Sequence, residues 1–331
     1  MSNELITVED LRKWFKTRKG TLSGLLAEDR YVKAVNDVSF TIMKGDTFGL
    51  VGETGSGKTT IGEMLLLLQK PTKGDILWDG KSVLTDKQAA NDLKLNSHMI
   101  FQNITASLNP RKTVEDIVGL PLKTSGNRSW RERRKAVVEL LEKVGLTPGT
   151  EFLRKHPHEL SGGQRQRVDT ARAISMNPKF IIADEPVTSL DASISSQIVN
   201  LLDAIKREFD LTYLWISHDL TMVRYVSNRV AVLYLGKIME LAQTRDLFND
   251  PRNPYTQALL SAIPNIDPTT SSEFVKLKGE MPSPINLPSG CVFHTRCLYA
   301  NERCKSEEPD LVDIGGGHFV ACHYHSTLHM P

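Results

Sequence analysis

The chain predicts an α/β fold: a mainly parallel sheet with an inserted helical block, an antiparallel β portion at the N-terminus and a small loop-rich C-terminal extension. Three observations predict it. An apolar strand-like run, Thr47-Phe48-Gly49-Leu50-Val51, passes through a glycine-rich loop into a helix-like run from Thr60 to Leu68. From Phe180 to Ile238, apolar strand-length segments alternate with amphipathic helical ones, the pattern of a parallel sheet covered on both faces. After Leu247 the texture changes: Pro251, Pro254, Pro264, Pro268, Pro282, Pro284 and Pro288 interrupt every regular pattern, and all four cysteines of the chain follow.

Taken in order, strands are expected at Leu5-Ile6-Thr7-Val8, Val32 to Phe40 and Thr47 to Val51, with a basic insertion from Lys13 to Arg30 between the first two. A turn at Lys73-Gly74-Asp75 precedes a short strand, Ile76-Leu77-Trp78, and Asp79-Gly80 is a hairpin signal. One more strand falls within Asn96 to Gln102. From about Asn103 to Glu159 the chain turns helical. Its strongest helix, Ser129 to Val144, offers apolar Val137, Val138, Leu140, Leu141 and Val144, opens on a Ser129–Glu132 capping box and stops at Gly145. A helix from Gly162 to Met176 leads to the strand Phe180-Ile181-Ile182-Ala183. Helix Ile194 to Phe209, strand Thr212 to Ile216, helix Leu220 to Val226 and strands within Val230 to Ile238 complete the alternation. Beyond residue 250 only Tyr255 to Ile263 reads as a helix.

The 331 residues are 40% hydrophobic and 24% charged, the composition of a globular protein. A formal net charge of +2 gives no reason to expect nucleic acid as a partner. The longest apolar run, Met64 to Leu68, is far short of a membrane span. Met1-Ser2-Asn3-Glu4 lacks the basic and apolar regions of a secretory leader, so the chain reads as cytoplasmic.

Gly52-Glu53-Thr54-Gly55-Ser56-Gly57-Lys58-Thr59, followed by Thr60, fits G-x-x-x-x-G-K-[ST] in its required strand–loop–helix setting. Such a loop turns successive backbone N–H groups and a helix N-terminus onto phosphates. Lys58 reaches the β- and γ-phosphates, and the Thr59 hydroxyl ligates Mg²⁺. Asp184 and Glu185 close an all-apolar strand, where α/β sheets bind ligands. Asp184 is expected to hold Mg²⁺, and Glu185 to act as base on the attacking water. In Leu160-Ser161-Gly162-Gly163-Gln164, the serine caps a helix and the glycines let an anion approach the backbone.

In this order and spacing the three motifs resemble those of ATP-binding-cassette (ABC) ATPases, with a RecA-like P-loop NTPase core. The resemblance spans about residues 5–245 and assigns further roles. Gln102 matches the glutamine that touches metal and water, Ser189-Leu190-Asp191 the loop crossing a dimer interface, and His218 the histidine contacting the γ-phosphate. Phe15 sits where such proteins stack an aromatic on adenine, with Trp14 and Tyr31 as competitors. It implies two ATP molecules sandwiched head to tail, with Ser161, Gly163 and Asp191 completing the second subunit's site. The implied partners are a second ATPase subunit, identical or related, two membrane permease subunits and an extracytoplasmic solute-binding protein, with the ATPase on the cytoplasmic membrane face. Residues 1–250 form the ATPase domain, with a helical subdomain at about 103–176, and residues 251–331 the extension.

Asn253-Pro254-Tyr255-Thr256 and the segment Gly290-Cys291 to Arg296-Cys297 resemble the C-terminal extension of oligopeptide, dipeptide and nickel importer ATPases. Oligopeptide or dipeptide uptake is therefore expected, with nickel chelates or oligosaccharides as alternatives. The spacing of Cys291, Cys297, Cys304 and Cys322 matches neither a tight zinc knuckle nor a ferredoxin. Relatives that carry a [4Fe–4S] cluster there make it the leading expectation, ahead of zinc or bare thiols. One departure stands out: Asp169-Thr170, where relatives show small or apolar residues, with Arg165 or Arg172 as a partner for Asp169.

Overall fold

The computed structural model describes residues 3–17, 29–102, 104–124, 129–188, 190–263, 277 and 279–327. Its strands are, in chain order, β1 (Glu4–Lys16), β2 (Tyr31–Met43), β3 (Thr47–Val51), β4 (Lys73–Trp78), β5 (Lys81–Ser82) and β6 (Ser97–Ile100). Then follow β7 (Phe180–Asp184), β8 (Thr212–Ser217), β9 (Arg229–Tyr234), β10 (Lys237–Gln243), β11 (Val312–Asp313) and β12 (Phe319–Val320). The helices are α1 (Lys58–Leu65), α2 (Lys87–Asn96), α3 (Ile104–Ser107), α4 (Val114–Thr124), α5 (Trp130–Lys143) and α6 (Gly162–Ile174). After these come α7 (Ala192–Phe209), α8 (Leu220–Val226), α9 (Thr244–Asn249), α10 (Pro254–Ser261) and α11 (Glu302–Ser306).

The chain divides into two units: Met1–Ile42, Thr47–Thr85 and Ile216–Pro331 in the first, Met43–Asp46 and Asp86–Trp215 in the second. The described C-terminal residues therefore share a unit with the N-terminal strands and the glycine-rich loop.

In the first unit, one sheet has the order β2-β1-β4-β5, with β1 antiparallel to β4 in the register Ile6↔Trp78. Leu5, Ile6, Val8 and Leu11 of β1 are all buried. The strand runs past Val8 to Lys16, so Lys13 to Lys16 belong to β1 rather than to the insertion expected from Lys13 onward. A bulge between Glu9 and Arg12, with Asp10 at φ 45°, re-aims it. The Trp14 N–H then donates to Thr72 Oγ1 and the Lys13 ammonium to the Lys70 carbonyl. Residues 18–28 of that insertion lie outside the described residues. Lys73-Gly74-Asp75 is the start of β4, not a turn, while Asp79-Gly80 makes the expected tight hairpin with both residues at positive φ.

The same unit carries the strand order β11-β12-β10-β9-β3. β3 and β9 are parallel, whereas β9, β10 and β12 are successively antiparallel. The stretch read as strands from Val230 to Ile238 is thus a hairpin extending to Gln243, turned by Leu235 at φ 44° and Gly236 at φ 76°.

The second unit carries β8-β7-β6, with β6 parallel to β7 and every residue of β7 buried. The capping box of Ser129 and Glu132 starts α5, and Gly145 at φ 76° follows its end. The expected helical block consists of α3, α4 and α5 with two short 3₁₀ turns at 149–151 and 157–159. No helix among the described residues is long and apolar enough to cross a membrane.

Candidate functional site

The glycine-rich loop has its shape dictated by what surrounds it. At Gly52 (φ 150°) a Cβ would stand 2.1 Å from the Leu233 carbonyl, and at Gly57 (φ 108°) 2.2 Å from that of Ala34. Neither position admits a side chain, so the bare backbone is exposed along the loop's inner edge. Gly57 caps α1 without a side-chain hydrogen bond, leaving the first N–H groups of the helix as donors for an anion. Lys58 is 5% exposed, and its ammonium donates to the carbonyls of Gly52 (2.8 Å) and Glu53 (3.0 Å), closing the loop upon itself. Thr59 and Thr60 continue the helix.

Other predicted residues of the first unit are Phe15 and His218. His218 is exposed between β8 and α8, whose N-terminus Asp219 caps by accepting from the Thr221 and Met222 N–H groups. Phe15 carries the Lys13 ammonium 4.9 Å over its ring, while Trp14 tilts against Tyr31 at 6.5 Å and lies under Lys33 and Arg12.

In the second unit the parallel pair β6–β7 delivers Gln102 and the two acids to the same strand ends. Asp184 is 2% exposed at the end of β7. Glu185 sits at φ 46°, a left-handed conformation that an acidic side chain adopts only when its surroundings hold it. The Gln102 amide donates to Glu185 Oε2 at 2.7 Å, so the glutamine orients the carboxylate expected to act as base.

Ser161 and Gln164 cap α6 reciprocally: Ser161 Oγ accepts from the Gln164 N–H (3.3 Å), and the Gln164 side chain accepts from the Ser161 N–H (3.1 Å). The glycines have a second reason beyond anion approach. A Cβ at Gly163 would meet Ile194 Cγ2 at 2.8 Å, and one at Gly162 would meet Leu190 Cδ2 at 3.1 Å, so they let α6 pack on the start of α7. Asp191 caps α7; the Ile194 N–H and the Ser193 hydroxyl hold its carboxyl below the usual carboxylate range. Ser189 lies outside the described residues.

Asp169 is fully buried and pairs with Arg172 at 2.5 Å, while Arg172 also donates to the Ser107 carbonyl at 2.9 Å. Burial pushes the Asp169 carboxyl up to about 6, and the Arg172 charge and the Phe101 N–H pull it only partly back. A carboxyl raised on folding stabilises the native state below its unfolded pKa, and that contribution is lost as pH rises through about 6. The wild type should therefore lose about 1 kcal/mol relative to Asp169→Asn between about pH 5 and pH 7. The neighbouring His98, held down at about 4 by its burial and then by the Arg172 charge, stays neutral across that window. Urea unfolding of both proteins at the two pH values checks this, and a gap that does not change with pH refutes it. In the same unit, a cavity of about 550 Å³ between α4 and α5 is flanked by exposed Leu120 and Trp130.

The extension is tied to β10 by two buried polar side chains. Glu240, fully buried, accepts from the Arg252 and Asn253 N–H groups (2.7 and 3.0 Å) and pairs with His318 at 2.7 Å. Asn253 donates to the Met239 and Ala321 carbonyls and caps α10 through the Tyr255 N–H. That explains Asn253-Pro254-Tyr255: asparagine knots three segments, proline starts the helix, and the Tyr255 hydroxyl accepts from the Glu53 N–H at 3.1 Å. Arg296 donates to the Glu53 carboxylate. Sequence reasoning missed both links to the loop, and the only available signal was the position of Arg296 in the cysteine segment.

Cys291, Cys297, Cys304 and Cys322 line one small cavity of about 20 Å³. Gly290 at φ 63° allows that approach, since a Cβ there would meet the Cys304 carbonyl at 2.5 Å. Burial pushes the Cys291 thiol up to about 12 and the Cys297 thiol up to about 11, with the other cysteines adding to the rise. The donor set is thus gathered on one cavity, and a bound cation would reverse those shifts. Among the described residues, however, no group of three or more such ligands is drawn together tightly enough to hold a metal ion. His294 and His323 face the backbone carbonyls of Cys291 and Glu307 instead.

A parallel β–loop–helix unit with a lysine-closed glycine loop, and a buried strand ending in two acids, define a phosphate-loop nucleotide hydrolase. A family model described as ABC transporter matches residues 35–188, and one described as oligopeptide/dipeptide transporter, C-terminal region, matches residues 239–304. The oligopeptide transport ATP-binding protein AppF of Bacillus subtilis is 47% identical over 326 residues, covering 97% of this chain and 98% of that one. The dipeptide transport ATP-binding protein DppF of Haemophilus influenzae is 41% identical over 319 residues, 96% of each chain. Among solved structures, the ATP-binding cassette MJ0796, a dimer bound to ADP and Pi, matches with a TM-score of 0.62 at 29% identity, over 73% of this chain and 99% of that one. The chain belongs to the ABC transporter family, and its fold is the phosphate-loop ATPase fold of that family, with the expected parallel core and antiparallel N-terminal sheet.

Proposed function

We propose that this chain is the ATP-hydrolysing subunit of an importer that drives oligopeptides or dipeptides through a separate membrane permease. The observation that carries the reading is similarity to peptide-transport ATP-binding proteins along nearly the whole chain, C-terminal region included. Lys58 and the loop N–H groups bind the β- and γ-phosphates, and Phe15 stacks on adenine. Thr59, Gln102 and Asp184 would hold Mg²⁺, which neutralises phosphate charge when bound. Glu185, oriented by Gln102, takes the proton of the water that attacks the γ-phosphorus as the bond to the β-phosphate oxygen breaks, and His218 contacts the γ-phosphate.

Ser161, Gly162, Gly163, Gln164 and Asp191 complete the site of a second ATPase subunit. ATP joins the subunits, and hydrolysis lets them part. The groove between α4 and α5, lined largely by charged and polar side chains with exposed Leu120 and Trp130 among them, is the place for a permease contact at the cytoplasmic membrane face. We read residues 1–250 as the ATPase domain and 251–331 as the extension. Reconstitution with permease and solute-binding protein tests the reading: peptides should stimulate hydrolysis, and stimulation by nickel chelates or oligosaccharides alone would redirect it.

For the extension, we propose a [4Fe–4S] cluster ahead of zinc on the strength of the resemblance alone; the four thiols that line one cavity are the donors either would use. Chain purified without oxygen should carry about four irons and four sulfides. Zinc alone would make the site a structural clip, and neither metal would refute the cluster.

A further inference from the structure

Glu53 is unusual cargo for a loop that receives phosphates, because its carboxylate is a like charge. The extension covers that charge. Arg296 Nη1 donates to both carboxylate oxygens, at 2.9 and 3.0 Å. Arg296 is 7% exposed, and its guanidinium lies 5.8 Å over the Tyr234 ring. Tyr234 in turn packs with Tyr255 and Phe293, at ring separations of 4.7 and 5.3 Å. The Tyr255 hydroxyl takes the Glu53 N–H, and the Glu53 carbonyl takes the Lys58 ammonium. Met281 closes on the loop as well, its methyl 3.2 Å from where a Cβ on Gly55 would stand. One loop residue is therefore held from the extension through both its side chain and its backbone, and it hands that restraint to the phosphate-binding lysine.

Resting on the ATPase reading above, we propose that Arg296 is a positioning residue for the phosphate loop: it neutralises and fixes Glu53, and so sets the affinity for MgATP. The turn that presents Arg296, where the Arg296 and Cys297 N–H groups both donate to the Phe293 carbonyl, belongs to the cysteine segment. Nucleotide affinity is thereby linked to the integrity of the extension.

The chemistry predicts an asymmetry. A carboxylate left without its arginine repels phosphate, whereas removing both partners leaves an apolar contact of similar shape. Arg296→Met in the full chain, titrated with a fluorescent ATP analogue and Mg²⁺, should raise Kd about 30-fold, the low end for truncating one partner of a hydrogen-bonded charge pair, because the Glu53 side chain is 28% exposed. In the reconstituted transporter KM should rise likewise, with kcat within about 3-fold, because the loss lies in binding rather than in the transition state. The double variant Glu53→Met/Arg296→Met should regain most of the affinity, and Arg296→Lys part of it. Thermal unfolding and metal content of each variant are followed in parallel. Wild-type affinity in Arg296→Met would overturn the proposal. So would a double variant that binds no better than the single one or fails to fold, since each outcome makes the pair purely structural. If Arg296→Met itself does not fold, the double variant alone decides by the same criterion. A wild-type chain that binds no ATP would sink the ATPase reading instead.

Discussion

Glu185→Gln is expected to bind MgATP as the wild type does and to lose about 10²–10⁴-fold in turnover, the range that a positioned general base supplies. The substitution keeps size, the acceptor oxygen for the Gln102 amide and the side-chain class tolerated at φ 46°. What disappears is the proton acceptor. In the proposed cycle hydrolysis lets the ATP-bound subunits part, so the variant should accumulate as a closed dimer in MgATP. Phosphate release measures the first effect and gel filtration with and without nucleotide the second. Near wild-type hydrolysis would remove Glu185 from its role. The strained backbone at this position gives a further control: Glu185→Ala keeps the left-handed φ but loses the Gln102 bond, and so should bind MgATP without holding the water.

The legible parts of this chain were those in which local chemistry repeats the global plan. β7 is buried on both faces, so Phe180 to Ala183 are continuously apolar; its start was read correctly and its end one residue short, because the strand takes in Asp184. Helix α5 announces both ends through Ser129, Glu132 and Gly145. The tight turn Asp79-Gly80 was visible because it needs two residues at positive φ. Helix α2 was not read, because it buries only Ala89 and Leu93 on an otherwise polar surface and its clearest signal is the Asp86 cap. The second half of β1 looked like an insertion, since strands reached through a bulge break the period-two pattern. At the site, the motif residues were nameable because phosphate chemistry demands particular side chains at particular spacings. Arg296 and Tyr255 were invisible in their role: their partner Glu53 lies 243 and 202 residues away along the chain. No periodicity encodes a contact of that separation.

Lys58→Met should depress hydrolysis by a different route, through binding, most strongly at MgATP concentrations that just saturate the wild type. The side chain is 5% exposed on the buried side of α1, alongside Ile61, Met64 and Leu65, so a methionine of similar length fills its space and the fold should survive. The ammonium makes two charge-assisted hydrogen bonds to loop carbonyls, and in the proposed site its donors serve the phosphates once nucleotide binds. Hydrogen bonds to charged groups contribute about 1.5–3 kcal/mol each, so MgATP affinity should fall about 100-fold, while adenosine, which has no phosphate, should bind unchanged. Isothermal titration with both ligands separates the two, and wild-type MgATP affinity in the variant would mean that the loop backbone alone carries the phosphates. The pair of variants then orders the events: Glu185→Gln stops the cycle after the subunits have joined, and Lys58→Met before. At MgATP that just saturates the wild type, a closed dimer should therefore form with the first and not with the second or the double variant.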